Sequence, residues 1–160
     1  MKTNKKLIYS IFVVVFFAIS IIFLLNKSFE KNTPHNPSDI KSINIASEKI
    51  KLDLALTPEQ KSKGLSFRES LARDEGMLFI FDFPGKYSFW MKDMNFPIDI
   101  IWISEDQRIV YIKENATPES YPEAYQPGKN DGDAKYILEV VSGFSKQNNL
   151  KIGDNIEFLY

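Results

Sequence analysis

The 160-residue chain contains no cysteine and only one histidine. Without cysteine it has no disulfide bond, no thiolate metal ligand and no thiol nucleophile. The histidine, His35, falls in a polar segment without hydrophobic periodicity, so we expect a solvated side chain rather than a catalytic base. The sequence also lacks G-x-S-x-G, H-E-x-x-H and glycine-rich phosphate loops. The sequence therefore allows an architecture and a candidate site to be inferred, but it does not identify a reaction.

Acidic residues outnumber basic residues in the C-terminal part of the chain. After Thr33 there are 15 basic and 20 acidic residues, which gives a formal net charge of −5. A nucleic-acid-binding domain needs a basic face, so we expect no nucleic-acid partner. A single domain of roughly 120 residues is long enough to bury a core without disulfides.

One long hydrophobic run is present, at residues 7–25, and it carries no charge. As an α-helix it would span roughly 28 Å, close to the ~30 Å hydrocarbon core of a bilayer. Three lysines in residues 1–6 favour a cytoplasmic N-terminus. We therefore predict an uncleaved transmembrane anchor with the C-terminal domain outside the cytoplasm. The alternative is a cleaved signal and a secreted protein, because residues 18–20 fit a small-x-small cleavage site.

Beyond the anchor, residues 26–42 are polar, contain proline and predict a flexible linker. Apolar and polar residues then alternate over residues 50–55, which indicates a half-buried strand. Residues 57–60 have the sequence of a helix-starting capping box. Short apolar segments separated by turn residues follow. We predict that residues 43–160 form a mostly β domain, an antiparallel sandwich or barrel with one to three short helices, soluble and monomeric by itself.

A set of motifs in a fixed order resembles a known family, the domain of unknown function 192 family of bacteria and archaea. The motifs are Gly64-Leu65 with Arg68 and Leu71, Asp74 with Gly76-Met77-Leu78-Phe79, Phe89-Trp90-Met91-Lys92, Pro97 with Asp99, Leu138-Glu139 with Gly143, and Gly153-Asp154. The resemblance covers about residues 50–157. It implies a compact, jelly-roll-like β-sandwich, often behind an export or anchor segment, and no established activity. The chain departs from the family at Ser66, usually methionine, and at Asp93, usually asparagine.

The sharpest candidate site is the end of a predicted strand at residues 86–91. Strand geometry puts Trp90 and Lys92 on one face and Asp93 on the other. An indole beside an ammonium group can stack on a flat or sugar-like ligand while the lysine holds a polar group. The alternative is a core tryptophan with Lys92 extending to solvent.

A second set of candidates consists of Arg68, Asp74, Asp99 and Glu139. Asp99 and Glu139 each lie between apolar neighbours, so each carboxylate is either exposed or buried and paired. Arg68 is the natural partner, with Asp99 or Glu139 expected first. If two of the four carboxylates Asp74, Asp93, Asp99 and Glu139 met in one cleft, they could perform acid–base chemistry.

These features favour a membrane-tethered binding or accessory module for a carbohydrate or another envelope component. A carboxylate-dependent hydrolase or lyase and a structural partner in an envelope complex are the alternatives. Residues 130–133 are similar to part of a calcium loop but lack its downstream glutamate, so they predict a solvated turn. We expect neither a metal nor a cofactor.

Overall fold

A computed structural model describes residues 15, 16, 19–21 and 36–160. The chain divides into two units, residues 1–35 and residues 36–160. In the first unit, residues 15, 16 and 19–21 are helical. Among the described residues, none belongs to a helix with the length and apolar character needed to cross a membrane. Most of the predicted anchor and linker, including His35, lies outside the described residues, so the anchor stays a prediction.

Over residues 36–160 the chain forms nine strands and two short α-helices. The strands are β1 (Ser42–Ile45), β2 (Glu48–Ala55), β3 (Glu75–Gly85), β4 (Phe89–Trp90), β5 (Ile98–Ile103), β6 (Ile109–Ala116), β7 (Ala124–Tyr125), β8 (Ala134–Val141) and β9 (Ile156–Leu159). The helices are α1 (Pro58–Lys63) and α2 (Phe144–Gln147), with 3-10 turns at Pro37–Asp39 and Pro118–Ser120. The prediction of a mostly β domain with few short helices is confirmed.

Seven strands form one main sheet in the order β6-β5-β8-β3-β2-β1-β9, while β4 and β7 pair as a separate ribbon within residues 36–160. Neighbours are antiparallel except for β2 and β3, which are parallel. The main sheet curls into a half-barrel, and its two edge strands approach each other at a bridge between Arg108 and Asn155. The Ile156 amide donates to the Gln107 carbonyl at 2.9 Å beside this bridge. The prediction of a mostly β fold is therefore confirmed, whereas the more detailed prediction of a sandwich or jelly roll is not.

The concave side of the sheet holds the first of two apolar cores. All seven strands of the main sheet contribute a side chain to it, as do Phe144 of α2 and Leu150. Representative members of this concave core are Ile43, Leu78, Ile101, Leu138 and Ile156, each at most 1% exposed. Because burial of such side chains is the dominant favourable term in folding, this core holds the curl closed.

The convex side carries the second core, which loops and the β4–β7 ribbon cover. Met77, Phe79 and Trp102 point to this side, and Leu65 and Met91 pack on them from the loops. The indole N–H of Trp102 donates to the Tyr87 carbonyl at 2.9 Å. The central strands of the sheet are thus buried on both faces, which explains why every residue of β5 is buried and all but Asp99 are apolar.

The predicted strand at residues 86–91 is wrong in extent, since only Phe89–Trp90 pair, with β7. Residues 83–85, which precede it, belong to the long strand β3. The Tyr87 ring stacks on Phe81 at 3.5 Å between centroids, and the Tyr87 hydroxyl donates to the Phe83 carbonyl at 2.7 Å. These contacts turn the chain back at residues 86–88, so these three residues belong to no strand.

Helix α1 begins with the predicted capping box. The Gln60 amide donates to Thr57 Oγ1 at 3.2 Å, and the Thr57 amide donates to Gln60 Oε1 at 2.9 Å. The helix ends at Gly64, whose φ of 51° with ψ of −134° suits a residue without a side chain. A Cβ at Gly64 would lie 3.3 Å from the Phe79 ring. The chain therefore crosses the convex core in close contact immediately after the helix.

The Asp99 side chain is fully buried on the concave side of the sheet, where it stabilises the fold. Its carboxylate accepts hydrogen bonds from the amides of Asn115 at 2.9 Å, Gly143 at 3.1 Å and Ser145 at 2.8 Å. A carboxylate that satisfies three backbone donors in this way joins β5, β6 and the start of α2. Asp99 is thus a structural residue rather than part of a site.

We expect Asp99→Ala to lower the free energy of unfolding by about 3 kcal/mol, because one buried and two partly buried amides lose their acceptor. Urea denaturation followed by tryptophan fluorescence measures the change. Asp74→Ala is the control, since Asp74 is an exposed carboxylate paired with Lys51 at 2.8 Å. A surface pair contributes little, so this variant should unfold like the parent protein. Equal effects of the two substitutions would contradict the assignment.

Candidate functional site

A cavity of about 260 Å³ opens beside Gly64, between the end of α1 and strands β3, β4 and β8. Its wall combines aromatic rings, lysines and one carboxyl group. The residues concerned are Phe79, Phe81, Tyr87, Phe89 and Trp90, Lys61, Lys63 and Lys92, and Glu139. We call this the Gly64 cavity.

Glu139 is the buried polar group of the Gly64 cavity. On β8 it lies between Leu138 and Val140, which point to the concave core, so its side chain points to the convex one. The residue is 5% exposed, and Glu139 Oε2 has no hydrogen-bond partner among the described residues. Burial raises its pKa to about 8, although the Arg68 guanidinium acts in the opposite direction. At neutral pH the carboxyl group is therefore mainly protonated, and it can both donate and accept hydrogen bonds.

The mouth of the Gly64 cavity carries positive charge. The Lys61 ammonium lies 4.5 Å from the centre of the Phe81 ring. Within the described part of the chain, neither Lys63 nor Lys92 forms an ion pair. Because the chain after Thr33 has a formal net charge of −5, three lysines around one cavity create a local field of the opposite sign.

Two loops join at the rim of the cavity through three hydrogen bonds. Ser66 Oγ donates to the Lys92 carbonyl at 2.9 Å, the Phe67 amide donates to the Asp93 carbonyl at 2.9 Å, and Asn95 Nδ2 donates to the Arg68 carbonyl at 2.9 Å. Phe67 and Asp93 have φ angles of 65° and 56°. Residues other than glycine rarely adopt this conformation, and such strain concentrates at functional sites. This loop seam fixes the backbone that carries Lys92.

The structure brings three of the predicted site residues together, namely Trp90, Lys92 and Glu139. Trp90 is 51% exposed, so the alternative prediction that it is a core tryptophan is wrong. The core tryptophan is Trp102. Asp93 joins the loop seam through its carbonyl, and its side chain does not line the cavity. The sequence predicted a ligand-binding surface at this point in the chain. The exposed ring of Trp90 gives that surface an aromatic platform.

The remaining predicted residues lie elsewhere. Arg68 pairs with Asp53 of β2 at 2.7 Å rather than with the expected Asp99 or Glu139. Asp99 lies on the opposite face of the sheet from Glu139, and Asp74 is an exposed surface residue. Arg68 lies in the loop between α1 and β3, and no local pattern in the sequence predicts that this loop passes Asp53 of β2. Of the four carboxylates nominated for an acid–base pair, Glu139 alone lines the Gly64 cavity.

Sequence reasoning missed Lys61 and Lys63. Both lie in the last turn of α1, where lysine is common because it complements the helix dipole. That local explanation gave no reason to assign them to a site. The only available signal was Gly64 directly after them, since a glycine with positive φ turns the helix end onto the sheet.

The segment that is similar to a calcium loop is a lysine-clamped turn. The Gly128 amide donates to Asp131 Oδ2 at 2.6 Å. The Lys86 ammonium donates to the carbonyls of Asp131 and Gly132 and pairs with Asp133 at 3.4 Å. An ammonium group thus occupies the oxygen-rich side of the turn.

Glu139→Gln tests the buried carboxyl group through pH. Between its usual pKa near 4.5 and about 8, the folded protein retains a proton that the unfolded chain has lost. Each rise in pH through this window therefore weakens folding of the parent protein. Glutamine does not titrate, so the variant should gain relative stability up to about 4 kcal/mol by pH 8. Urea midpoints at pH 4.5, 6 and 8 measure this. The exposed Glu69→Gln is the control, and a pH-independent difference for Glu139→Gln would contradict the burial argument.

Comparisons with known proteins agree with this fold. A family model, DUF192, described as Uncharacterized ACR, matches residues 40–158. A structure from Sinorhizobium meliloti 1021, described as a candidate transcription regulator, is 32% identical with a TM-score of 0.65, over 73% of this chain and 90% of that chain. A protein of unknown function from Novosphingobium aromaticivorans is 29% identical with a TM-score of 0.68, over 76% of this chain and 89% of that chain. No curated protein matches the sequence.

Proposed function

We propose that this chain, which belongs to the DUF192 family of uncharacterised proteins, is a binding module whose Gly64 cavity takes a carbohydrate with an acidic group. The observation that carries the proposal is the buried carboxyl group of Glu139 in the cavity wall, whose Oε2 has no hydrogen-bond partner among the described residues. Burying a polar group without a partner costs on the order of 1–3 kcal/mol. A ligand that supplies the partner would recover that free energy.

The protonated carboxyl group restricts the chemistry of this ligand. It offers one O–H donor together with acceptor oxygens at the same place. A hydroxyl group also donates and accepts, so it complements Glu139 on both counts. Carbohydrates present several such groups on a compact ring, which supports the choice of ligand class.

The rim supplies the remaining contacts. The half-exposed indole of Trp90 offers a flat apolar surface for a sugar ring, as aromatic side chains with one wet face do at binding sites. Lys63 and Lys92, which have no ion-pair partner among the described residues, favour an acidic substituent on that ring. A cavity of about 260 Å³ is near the low end of the range for small ligands, roughly 300–1,000 Å³.

A carboxylate-dependent hydrolase or lyase is the second candidate, favoured by the raised pKa of Glu139, which suits a general acid. Glycoside hydrolysis usually needs a second carboxylate on the other side of the scissile bond. Asp74, Asp93 and Asp99 do not line the cavity. Binding without cleavage therefore fits the cavity better than catalysis, and better than a purely structural role in an envelope complex.

The cellular setting is part of the proposal. The uncharged run at residues 7–25 and the lysines before it support a single membrane anchor. Residues 43–160 would then face outward, where envelope carbohydrates are accessible.

The binding proposal predicts a fluorescence change, because Trp90 lies at the cavity while Trp102 is fully buried. Titration with acidic monosaccharides should alter Trp90 emission and yield a dissociation constant. Trp90→Ala removes the fluorescent reporter, so its affinity is measured by isothermal titration calorimetry, and it should be weaker by about tenfold, equivalent to about 1.4 kcal/mol. Lys92→Ala should weaken binding of acidic sugars and spare neutral ones. Phe83→Ala is the matched control, since Phe83 is 76% exposed and does not line the cavity. Equal loss in the control would count against a site at Trp90.

The anchor predicts that protease added to intact spheroplasts removes residues 43–160, because the domain would face outward. Immunoblotting against a C-terminal tag measures the loss, with a cytosolic protein as the protection control. A domain that survives until the spheroplasts are lysed would overturn this topology.

A further inference from the structure

We propose that the ligand is a chain of two or more linked acidic sugar units, which passes over residues 64–68 from the Gly64 cavity into a second groove. This inference rests on the proposed function and extends it from a single ring to an oligomer. The observation behind it is that two concave surfaces share three lining residues, and that each has its own exposed aromatic ring and its own cation.

The second groove has a volume of about 440 Å³ and lies on the other side of the chain segment that follows α1. Its lining residues include Asp53, Lys63, Gly64, Ser66, Phe67 and Arg68. Three of these, Lys63, Gly64 and Ser66, also line the Gly64 cavity. The two spaces therefore meet along this segment, and a linear ligand can occupy both while a single ring can occupy only one.

Phe67 provides the second aromatic platform. Its side chain is 71% exposed, so the ring gains little from packing within the protein. Its backbone has a φ of 65°, a conformation that residues with a side chain rarely adopt. The hydrogen bond from the Phe67 amide to the Asp93 carbonyl holds it there. An apolar ring kept in water on a strained, fastened backbone contributes nothing evident to stability, whereas it would stack well on a ligand ring.

The cations repeat along the same path. Arg68 contacts Asp53 through Nη2 at 2.7 Å, and its side chain remains 37% exposed. A guanidinium group has five N–H donors in a planar fork, so donors remain for a second acidic group. Lys63 lines both spaces, whereas Arg68 lines only the second groove and Lys92 only the Gly64 cavity. A series of cations beside two aromatic rings matches a ligand with a repeating negative charge.

A single-stranded nucleic acid also combines flat rings with repeated negative charge. It is disfavoured because its affinity comes mainly from phosphate contacts and base stacking, neither of which uses the buried carboxyl group of Glu139. Nucleotide bases also lack the several hydroxyl groups that would complement Glu139. An oligonucleotide is therefore a suitable competitor in the test.

The experiment uses the full-length chain and isothermal titration calorimetry. The probes are galacturonate, glucuronate, mannuronate and sialate, each as the monomer and the linked trimer, with a neutral galactose trimer and a thymidine trinucleotide as comparisons. The expected result is that at least one acidic trimer binds ten times more tightly than its monomer. Phe67→Ala should abolish this gain and leave the monomer affinity unchanged, while Trp90→Ala should weaken both. Thermal melting confirms that each variant is folded, and Phe83→Ala again serves as the control.

The outcomes separate this inference from the proposed function. If an acidic monomer binds and its trimer binds no more tightly, or if Phe67→Ala has no effect on the trimer, the extension into the second groove is wrong while the cavity assignment survives. If no acidic sugar binds as monomer or trimer, both proposals fail. If the trinucleotide or the neutral trimer binds as tightly as the acidic trimers, the ligand class is wrong.

Discussion

Burial of the central strands on both faces is the constraint on which the rest of this domain depends. Strand β8 runs between β5 and β3, with the concave core on one side and the convex core on the other. Every side chain on these strands must therefore be apolar or find a partner away from water. Glu139 is the exception, and its position on the convex side, next to Gly64, is what turns a packing surface into a candidate site.

Asp99 and Glu139 show how the same chemistry acquires opposite roles on adjacent strands. Asp99 faces the concave side, where three amides of the β6 end and the α2 start converge on its carboxylate. Glu139 faces the convex side, where the neighbouring groups are aromatic rings and the Gly64 backbone. One carboxyl group is fully satisfied and organises the fold, whereas the other keeps an unused oxygen at a cavity.

At the loop seam, two residues have a backbone conformation that their residue types rarely adopt. Phe67 and Asp93 both have positive φ, and they are hydrogen-bonded to each other across two loops. Conflicts between local preference and the folded structure concentrate at functional sites in natural proteins. Here the strain, the exposed rings of Phe67 and Trp90, and the lysines lie around the same chain segment. Their coincidence is the physical basis for assigning a ligand to this region rather than to the acidic loop that follows β6.

The sequence by itself determined the features that depend on near neighbours along the chain. These are the capped helix that begins at Thr57, the apolar strand β5, the mostly β composition and the family. Only the tertiary structure decided which side of the sheet each carboxyl group faces, because a strand buried on both faces has no alternating pattern to reveal orientation. It also placed the loop that carries Arg68 beside Asp53 of β2. It brought Lys61 and Lys63 to the same cavity as Glu139, which lies more than 70 residues later in the chain. Such groupings depend on strand order and loop course, and those are properties of the folded chain.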